Sequence, residues 1–226
     1  MKKVLLTSMA LILISLPTYS QTPRRIDFGG FGVYAAANSN VKARPDAVLF
    51  GDSITQLWFE QDSAFFKANN YLGRGIGGQT TSSMLIRFRQ DVIELNPKIV
   101  VILGGTNDVA ENGGPIELKN VLGNIKSMCE LAEVHGIIPV ICSVTPCNRF
   151  YWREDLKPAE KIIALNDLLR EYALSEGITY VDYHTPMREP DGSMPEKYAA
   201  DGCHPTLLGY QVMESILEPC VESLLR

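Results

Sequence analysis

Basic residues, histidines and long hydrophobic runs are all scarce in this sequence. Its 226 residues hold 21 Lys and Arg against 26 Asp and Glu, a formal net charge of -5, with no basic stripe. Nucleic acid is therefore not an expected partner, because proteins hold polyanions with clustered Lys and Arg. The chain has no repeat period and no low-complexity tract. Its composition, 46% hydrophobic and 21% charged, is typical of one globular domain.

The cysteines lack the spacing that metal and redox sites need. None of them pairs as C-x-x-C or falls at metal-ligand spacing, so the sequence predicts no metal site. For each cysteine the preferred interpretation is a small buried hydrophobe. One or two disulfides stay open as the alternative, although a chain of this size does not need them; Cys142 and Cys147 are the closest pair in sequence. The full set is Cys129, Cys142, Cys147, Cys203 and Cys220.

The one long hydrophobic run lies at the N-terminus. Two lysines precede an apolar core over residues 4–16, and small residues follow up to Ser20. This pattern predicts a signal peptide over residues 1–20, cleaved after Ser20, ahead of a single domain over residues 21–226 that is exported to the periplasm or the medium. An uncleaved membrane anchor is the alternative. It is disfavoured because the run is shorter than the ~20 apolar residues of a membrane helix.

Beyond the N-terminus, apolar runs alternate with helical patterns. Strands that alternate with helices predict an α/β fold, in which a parallel sheet carries helices on both faces. Ligands bind such sheets at the carboxyl ends of the strands, so functional residues are expected there. The apolar runs predict buried strands at residues 47–52, 99–104, 137–144 and 178–183, with a weaker strand near residues 70–73.

The remaining segments predict helices and one irregular region. Residues 22–44 are Gly-rich and predict an irregular lead-in that packs across the domain. A closing helix is predicted from Pro205, with a bend or break near Pro219. Apolar residues recur at helical spacing over residues 84–92, 118–132 and 162–172.

The first strand end is the turn Gly51-Asp52-Ser53. An apolar run stops at Gly51, and a helix-compatible segment follows Ser53. This arrangement indicates a strand that delivers a nucleophilic serine onto a tight turn, where Gly51 supplies backbone freedom and the helix start presents free N–H groups. The alternative is ordinary turn chemistry, in which Asp52 or Ser53 only caps the helix.

A second strand end contains Gly73, Gly75 and Gly78, which literally match the dinucleotide-binding pattern G-x-G-x-x-G. The context does not support nucleotide binding. No strong strand precedes the glycines, and the acidic residue expected about 20 positions later falls inside a helical pattern, at Asp91 or Glu94. The glycines are interpreted instead as a loop that allows close backbone approach and exposes N–H groups.

Only three histidines are available as a base for Ser53. His135 lies in the last turn of a predicted helix, where an imidazole complements the helix dipole, so a structural role is favoured. His204 follows Asp201 by three residues, a spacing that can place a carboxylate against Nδ1 and leave Nε2 free. His204 is therefore the predicted base, and His184, at the end of a strand, is the alternative.

Taken in chain order, the strand ends resemble the four sequence blocks of the SGNH hydrolases, also called the GDSL esterase/lipase family. The resemblance runs from about residue 46 to residue 210. It implies a flavodoxin-like three-layer α/β/α sandwich with a five-stranded parallel sheet, and no cofactor. The blocks are Gly51-Asp52-Ser53, Gly78, Gly105-Thr106-Asn107-Asp108 and Asp201-x-x-His204-Pro205.

By position, the resemblance implies a role for each residue of the site. Ser53 is the nucleophile, His204 the general base, and Asp201 the residue that orients His204. The N–H groups of Ser53 and Gly78, with the side-chain amide of Asn107, form the oxyanion hole. Losing one such donor typically lowers the rate about 10²- to 10³-fold.

Some of these residues also have a structural interpretation. Asn107 follows two glycines, so by itself it is equally typical of a turn. Asp52 and Asp108 flank the functional residues and are expected to hold loops through backbone hydrogen bonds.

The expected function is that of an exported serine esterase acting on small acyl esters, above all acetyl esters of carbohydrate. The expected specificity loops are residues 109–117, 146–158 and 185–199. The middle loop mixes aromatic residues with Arg and Asn, which suits a polar ester better than a long lipid tail. An equally open interpretation is that Phe150 and Trp152 dock this loop on the core.

Two other functions remain as alternatives. One is a lysophospholipase or short-chain lipase. The other is a non-catalytic glycan-binding module on the same scaffold, which the intact set of Ser, Asp, His and Asn argues against. The expected partner is a small ester or an acetylated glycan, with no stable membrane anchor, and the oligomeric state stays open.

Overall fold

Five parallel strands form the centre of the molecule. The computed structural model describes residues 27–226, so the signal peptide predicted over residues 1–20 lies outside the described residues. All five predicted strands are present, within a few residues of the expected bounds. They are β1 (Ala47–Gly51), β2 (Tyr71–Gly75), β3 (Ile99–Leu103), β4 (Ile138–Cys142) and β5 (Thr179–Val181). Their order along the sheet is β2-β1-β3-β4-β5.

Helices cover both faces of the sheet, which confirms the three-layer α/β/α architecture. In the long helices apolar side chains return every three to four residues and face the sheet. The described helices are α1 (Phe31–Ser39), α2 (Ser53–Gln61), α3 (Ser63–Ala68), α4 (Thr81–Asp91), α5 (Thr106–Val109), α6 (Leu118–Val134), α7 (Pro158–Glu176), α8 (His184–Met187) and α9 (Leu207–Leu225), with a 3₁₀ turn at Ile93–Leu95.

Two apolar cores lie on opposite faces of the sheet. One packs α4, α6 and α7 against the strands, with Phe88, Ile125 and Leu165 among its buried residues. The other packs α2, α3 and α9, and centres on Trp58, whose ring stacks on Tyr210 at 5.5 Å. Each strand is therefore buried on both sides, which explains why strands of this sheet are continuous apolar runs rather than alternating patterns.

The strand order reverses between β1 and β3, and this reversal positions the site. The register pairs Gly51 at the end of β1 with Leu103 at the end of β3. The residues that follow these two strands therefore leave the sheet at the same height. In doubly wound sheets the crevice outside such a switch point is where ligands bind.

One expectation about secondary structure is wrong, and of the bend or break expected near Pro219 the break is absent. Residues 31–39 are not irregular but form α1, which packs on α4; none of its residues is buried, so no apolar stripe marks it. The closing helix does not break at Pro219 but continues to Leu225. Because Pro219 has no N–H, the carbonyl group of Ser215, four residues earlier, lacks its helical partner. Both residues lie on the exposed face, where water can satisfy the carbonyl group.

Within residues 27–226, no helix combines the length and the apolar character that crossing a bilayer requires.

Candidate active site

Ser53 is the first residue of α2, directly after the turn that ends β1. The helix is capped by the preceding residue, Asp52, whose buried carboxylate accepts a hydrogen bond from the Ile54 N–H at 3.0 Å. One carboxylate oxygen of Asp52 thus accepts from the first turn of the helix, as expected of a residue that holds the turn. This leaves the Ser53 side chain and its N–H at the open end of the helix.

Gly51 is required for a different reason from the one expected. It is not among the glycines with positive φ. Instead, a Cβ at this position would lie 2.2 Å from Thr55 Oγ1 and 2.5 Å from the Leu103 carbonyl oxygen. Gly75, at the end of β2, is required for the same reason, because a Cβ there would lie 2.1 Å from the Gln56 backbone nitrogen. Both glycines let the first turn of α2 sit directly on the sheet.

The structure brings Ser53, His204 and Asp201 together in one hydrogen-bonded row. Ser53 Oγ lies 3.0 Å from His204 Nε2, and His204 Nδ1 lies 2.7 Å from Asp201 Oδ2. The other carboxylate oxygen, Asp201 Oδ1, accepts from the Cys203 and His204 backbone N–H groups at 2.8 and 2.7 Å. The carboxylate therefore shapes its own four-residue turn and orients the imidazole, with Gly202 in the left-handed conformation at φ 81°.

Helix α9 carries this turn to the serine. It begins three residues after His204, with Thr206 as its N-cap. The Tyr210 hydroxyl donates to the Ile54 carbonyl oxygen at 2.8 Å, and the Trp58 indole N–H donates to Glu214 at 2.8 Å. These contacts fix α9 against α2, so residues about 150 positions apart in sequence meet at the strand ends.

Hydrogen bonding and burial shift the pKa values of the carboxylates in opposite directions. Burial pushes the pKa of Asp201 upward, but the hydrogen bonds from His204 and from two backbone N–H groups outweigh it and lower the pKa below its ordinary value. Burial raises the pKa of Asp52 to about 6, against the opposing hydrogen bond from Ile54. Burial also raises the pKa of Asp108. Among these three carboxylates, Asp201 is the one whose hydrogen bonds favour the ionised form, and it is the one that contacts the imidazole.

The three residues predicted to supply the oxyanion donors line one small cavity together with His204. Within the described part of the chain, the backbone N–H groups of Ser53 and Gly78 donate no hydrogen bond. Gly78 has a φ of 76°, which favours glycine, and a Cβ there would meet only open space. Asn107 is buried, and its Nδ2 lies 3.2 Å from Asp52 Oδ2 and 3.1 Å from the Gln79 carbonyl oxygen.

A second group of buried polar residues supports these donors. Asp108 accepts from the Thr81 N–H at 2.9 Å and from the Thr81 hydroxyl at 2.7 Å, which ties the end of β3 to the start of α4. Arg87 is fully buried, pairs with Asp91 at 2.9 Å, and donates to Gln79 Oε1 at 2.6 Å and to the Gly51 carbonyl oxygen at 2.8 Å. Sequence reasoning missed Arg87, because a charged residue in a helical pattern is usually exposed.

The other two histidines lie elsewhere. His184 begins α8, its backbone N–H donates to Ser143 Oγ at 2.9 Å, and burial lowers its pKa. Its ring makes no hydrogen bond with Ser53. His135 ends α6, where its Nδ1 lies 2.7 Å from the Leu131 carbonyl oxygen, in keeping with the predicted structural role.

A cavity of about 250 Å³ opens in front of the serine. Besides the predicted catalytic and oxyanion residues it includes Asn112, Tyr151 and Trp152, which lie in two of the expected specificity loops, 109–117 and 146–158. The Trp152 ring lies 6.1 Å from the His204 ring, with the two planes 32° apart. Each interpretation of loop 146–158 therefore holds for one residue: Phe150 docks the loop on the core, whereas Trp152 lines the cavity.

The other two expected specificity loops differ in where they lie. Residues 112–116 line an adjoining cavity of about 300 Å³, which shares Gly78 and Asn112 with the first and also includes Phe28 and Ser83. Residues 185–199 line neither of these two cavities. They border a separate cleft of about 640 Å³ beside Arg149.

The cysteines are free thiols, and all except the half-buried Cys220 are buried, which fits the interpretation as small buried hydrophobes. Cys142 and Cys147 do not pair. Cys147 Sγ donates to the Arg149 carbonyl oxygen at 2.9 Å, and its interaction with the Cys203 thiol lowers the pKa of Cys147. The part of the chain that the structure describes contains no group of three or more His, Cys, Asp or Glu side chains placed to hold a metal ion.

Comparison with known proteins gives consistent matches. The sequence matches the model of the GDSL-like Lipase/Acylhydrolase family over residues 49–212. A crystal structure of a GDSL-like lipase from Bacteroides thetaiotaomicron is 41% identical, covers 87% of this chain and 99% of that chain, and superposes with a TM-score of 0.83.

Two curated relatives are more distant. The isoamyl acetate-hydrolyzing esterase 1 homolog of Bos taurus is 28% identical, and the match covers 83% of this chain and 86% of that protein. The lipoprotein YqeF of Bacillus subtilis is 30% identical over 131 residues. The latter match spans about half of either protein, 50% of this chain and 54% of YqeF.

Proposed function

This chain belongs to the GDSL-like lipase/acylhydrolase family, and from that premise we propose that it is an exported serine esterase that removes small acyl groups, acetyl above all, from a carbohydrate. The observation that carries the proposal is the row Ser53–His204–Asp201, with contacts of 3.0 and 2.7 Å, at the edge of a small polar cavity. A serine hydroxyl becomes a nucleophile when a neutral, oriented imidazole is within hydrogen-bond reach.

In the proposed reaction, His204 Nε2 takes the hydroxyl proton while Ser53 Oγ attacks the ester carbonyl carbon. The bond to the alcohol then breaks, and the proton on His204 passes to the leaving oxygen. A water molecule, deprotonated by the same nitrogen, attacks the acyl-enzyme, releases the carboxylic acid and restores Ser53. Asp201 keeps the proton on Nδ1 and stabilises the imidazolium that forms in both halves of the reaction.

The carbonyl oxygen gains a negative charge in each tetrahedral intermediate. The N–H groups of Ser53 and Gly78 are free to donate to it, and the Asn107 amide supplies the third donor. Such donors stabilise the transition state because they are already oriented before the reaction. The Ser53 N–H has the further advantage of the positive end of α2.

The size and lining of the cavity support a small acyl group on a polar alcohol. Its volume of about 250 Å³ lies just below the ~300–1,000 Å³ typical of small-molecule sites. Its walls are two asparagines, a glycine and the rings of Tyr151 and Trp152, surfaces that suit a sugar. The name of the Bos taurus relative also refers to an acetate ester. Export is supported by the signal peptide predicted over residues 1–20.

A lysophospholipase or short-chain lipase is the second candidate, and one observation favours it. The adjoining cavity of about 300 Å³ meets the first at Gly78 and Asn112 and includes Phe28, Pro115 and Ile116. A longer acyl chain could extend across this apolar wall. The glycan-binding module has no such support.

The nucleophile and base are tested with p-nitrophenyl acetate. Ser53→Ala should abolish hydrolysis and leave the midpoint of thermal unfolding nearly unchanged. His204→Ala should lose activity, whereas His184→Ala should keep most of it. Full activity in Ser53→Ala would refute the proposed nucleophile, and the reverse result for the histidines would reassign the base.

The acyl group is tested with an ester series from acetyl to palmitoyl, offered on acetylated glycans and on phospholipids. The highest rate is expected for acetyl. Rates that rise beyond octanoyl would replace the acetylesterase with the lipase, and no turnover of any ester would favour a binding module.

A further inference from the structure

Three side chains form a hydrogen-bonded relay from the rim of the cavity to the oxyanion site. The Trp152 indole N–H donates to Asn112 Oδ1 at 3.0 Å, and Asn112 Nδ2 donates to Asn107 Oδ1 at 2.6 Å. Asn107 Nδ2 in turn faces Asp52 Oδ2 and the Gln79 carbonyl oxygen. Every step of this relay therefore runs from a donor on the rim to an acceptor deeper in the site.

The direction of the relay follows from the chemistry of its ends. An indole N–H can only donate, so the atom of Asn112 that faces Trp152 must be the amide oxygen. The amide nitrogen of Asn112 then faces Asn107, which must present its own oxygen. At the far end a backbone carbonyl oxygen can only accept, which requires the nitrogen of Asn107 there. Both ends therefore select the same orientation of the Asn107 amide.

This orientation is the one that the oxyanion hole needs. The residues that Asn107 Nδ2 contacts, Asp52 and Gln79, are the chain neighbours of Ser53 and Gly78, the other two donors. The two contacts, at 3.2 and 3.1 Å, are longer than the ~2.9–3.0 Å typical of N–H···O bonds. Each contact uses one of the two amide hydrogens, so donation to an oxyanion between Ser53 and Gly78 replaces one of these two long contacts.

Trp152 also lies near His204. The centroids of the two rings are 6.1 Å apart and their planes differ by 32°, while the Trp152 N–H donates to Asn112. One side chain from loop 146–158 is thus a neighbour of the proposed base and a hydrogen-bond donor to the relay that leads to Asn107. Asn112 itself is exposed, so water competes for its hydrogen bonds until a substrate covers the cavity.

We propose that Asn112 and Trp152 are positioning residues that hold the Asn107 amide in its donating orientation. The inference rests on the proposed esterase function, because it assigns the relay a part in the same reaction. A positioning residue of this kind stabilises the transition state more than the bound ester. Its loss should therefore lower kcat and leave KM nearly unchanged.

The test uses Asn112→Leu, which keeps the branched shape of the side chain but removes both hydrogen bonds, and Trp152→Phe, which keeps an aromatic ring beside His204 but removes the N–H. With p-nitrophenyl acetate, Asn112→Leu should lower kcat about five- to tenfold, the effect of one hydrogen bond, and change KM less than about twofold. Trp152→Phe should lower kcat about threefold by the same reasoning. The double variant should be no slower than Asn112→Leu, because the indole N–H acts through Asn112.

The decisive comparison is made in the Asn107→Ala background, where there is no amide to orient. Asn112→Leu should then have no further effect on kcat. An equal effect with and without Asn107, or an effect on KM alone, would overturn the relay. Asn69→Leu is the matched control, because it removes a half-buried, hydrogen-bonded amide at the opposite edge of the sheet; it should leave kcat unchanged.

Side-chain amide NMR separates this inference from the proposed function. The Asn107 NH₂ signals, identified by their loss in Asn107→Ala, should shift in both Asn112→Leu and Trp152→Phe. Inactivity of the wild-type protein toward every ester would refute the esterase, while shifted signals would still support the relay. Signals that stay in place in both variants would overturn the relay whatever the activity.

Discussion

The two sides of the site are built in different ways. The inner arm comprises Asp52, Ser53, Asn107 and Asp108, which follow β1 and β3. Apart from Ser53, its residues are at most 3% exposed. Their hydrogen bonds reach other segments of the chain, such as the one from Thr81 to Asp108. The outer arm, the 201–204 turn with loop 146–158, is more exposed. Its carboxylate bonds mostly within its own turn.

This difference separates stability from activity. The inner arm shares its hydrogen bonds with the core, so a change there leaves buried polar groups without partners, which is costly in free energy. The outer arm is shaped by a local turn whose loss leaves its groups open to water. We therefore expect substitutions in the inner arm and its supports to lower stability, and those in the outer arm to lower activity with little effect on stability.

The largest effect is expected for Asp201→Asn, in the outer arm. The amide can no longer hold the Nδ1 proton or stabilise the imidazolium, so kcat for p-nitrophenyl acetate should fall about 10²- to 10⁴-fold. The free energy of unfolding, from urea denaturation, should change by less than about 1 kcal/mol, because the group is half-exposed and its turn can still form.

Asp182→Asn is the matched control for this prediction. Asp182 also accepts a backbone hydrogen bond from a residue three positions later, Thr185, but it has no histidine partner. Its variant should keep full activity. A stability loss above about 2 kcal/mol in Asp201→Asn would place the outer arm in the same class as the inner arm.

The next effect concerns Arg87, which supports the inner arm from α4. Arg87→Met removes the guanidinium from a fully buried pair and leaves Asp91 without its partner. The free energy of unfolding should fall by about 3–5 kcal/mol. Arg170→Met is the control, because Arg170 pairs with Asp167 at the exposed surface, where such pairs contribute about 0–1 kcal/mol. Equal losses in the two variants would contradict the claim that the buried supports of the inner arm contribute more to stability than exposed ion pairs do.

The inner arm is also the side that sequence reasoning reaches more readily. Ser53 and Asn107 each follow a continuous apolar run, and parallel strands must present their ends at one edge. That logic predicts which residues meet without knowing any contact. It does not extend to Arg87, whose donors are satisfied by Gln79, Asp91 and a carbonyl group of β1. Burial of a charge depends on partners from separate segments, which no local pattern reveals.

The outer arm is harder to predict because its position depends on packing. The Asp201–His204 spacing predicts the local turn, but only α9, fixed on α2 by Tyr210, brings it to the serine. Trp152 could not be assigned from sequence, because an aromatic residue in a loop serves a core or a cavity equally well. The helix α1 escaped prediction for a similar reason, since none of its residues is buried.

The third prediction uses pH to test burial in the inner arm. The pKa of Asp52 is about 6 in the folded protein and has an ordinary value of 3.8. Between these values the folded chain binds more protons than the unfolded chain, so the free energy of unfolding should fall as the pH rises through this window. The contribution of Asp52 amounts to at most about 3 kcal/mol.

Asp52→Asn should remove this contribution. The new side-chain amide can place its NH₂ group against Asn107 Nδ2, which is also a donor, so the variant is expected to be less stable at every pH. The informative quantity is therefore the slope of the free energy of unfolding against pH. Urea denaturation from pH 4 to pH 7 should show the wild-type free energy of unfolding falling more steeply than that of the variant. Parallel curves would mean that the Asp52 carboxylate ionises in the folded protein as it does in water.

The smallest effect is expected where the two arms meet. Arg153, in loop 146–158, donates to the Ala110 carbonyl oxygen at 3.0 Å and pairs with Glu111 and Asp155. Arg153→Met should lower the free energy of unfolding much less than Arg87→Met does, since one partly buried hydrogen bond and two exposed ion pairs are lost.

Salt separates these two contributions. In 1 M NaCl the screening length falls to about 3 Å, so the ion pairs of Arg153 should weaken while its bond to the Ala110 carbonyl oxygen persists. The loss in Arg153→Met should therefore shrink in salt but not vanish. Lys161→Met is the control, because the partner of Lys161 is the carboxylate of the same Glu111 and not a backbone carbonyl oxygen, and its smaller loss should disappear. A loss for Arg153 that also disappears would mean that charge, and not the hydrogen bond, joins the outer arm to the turn after α5.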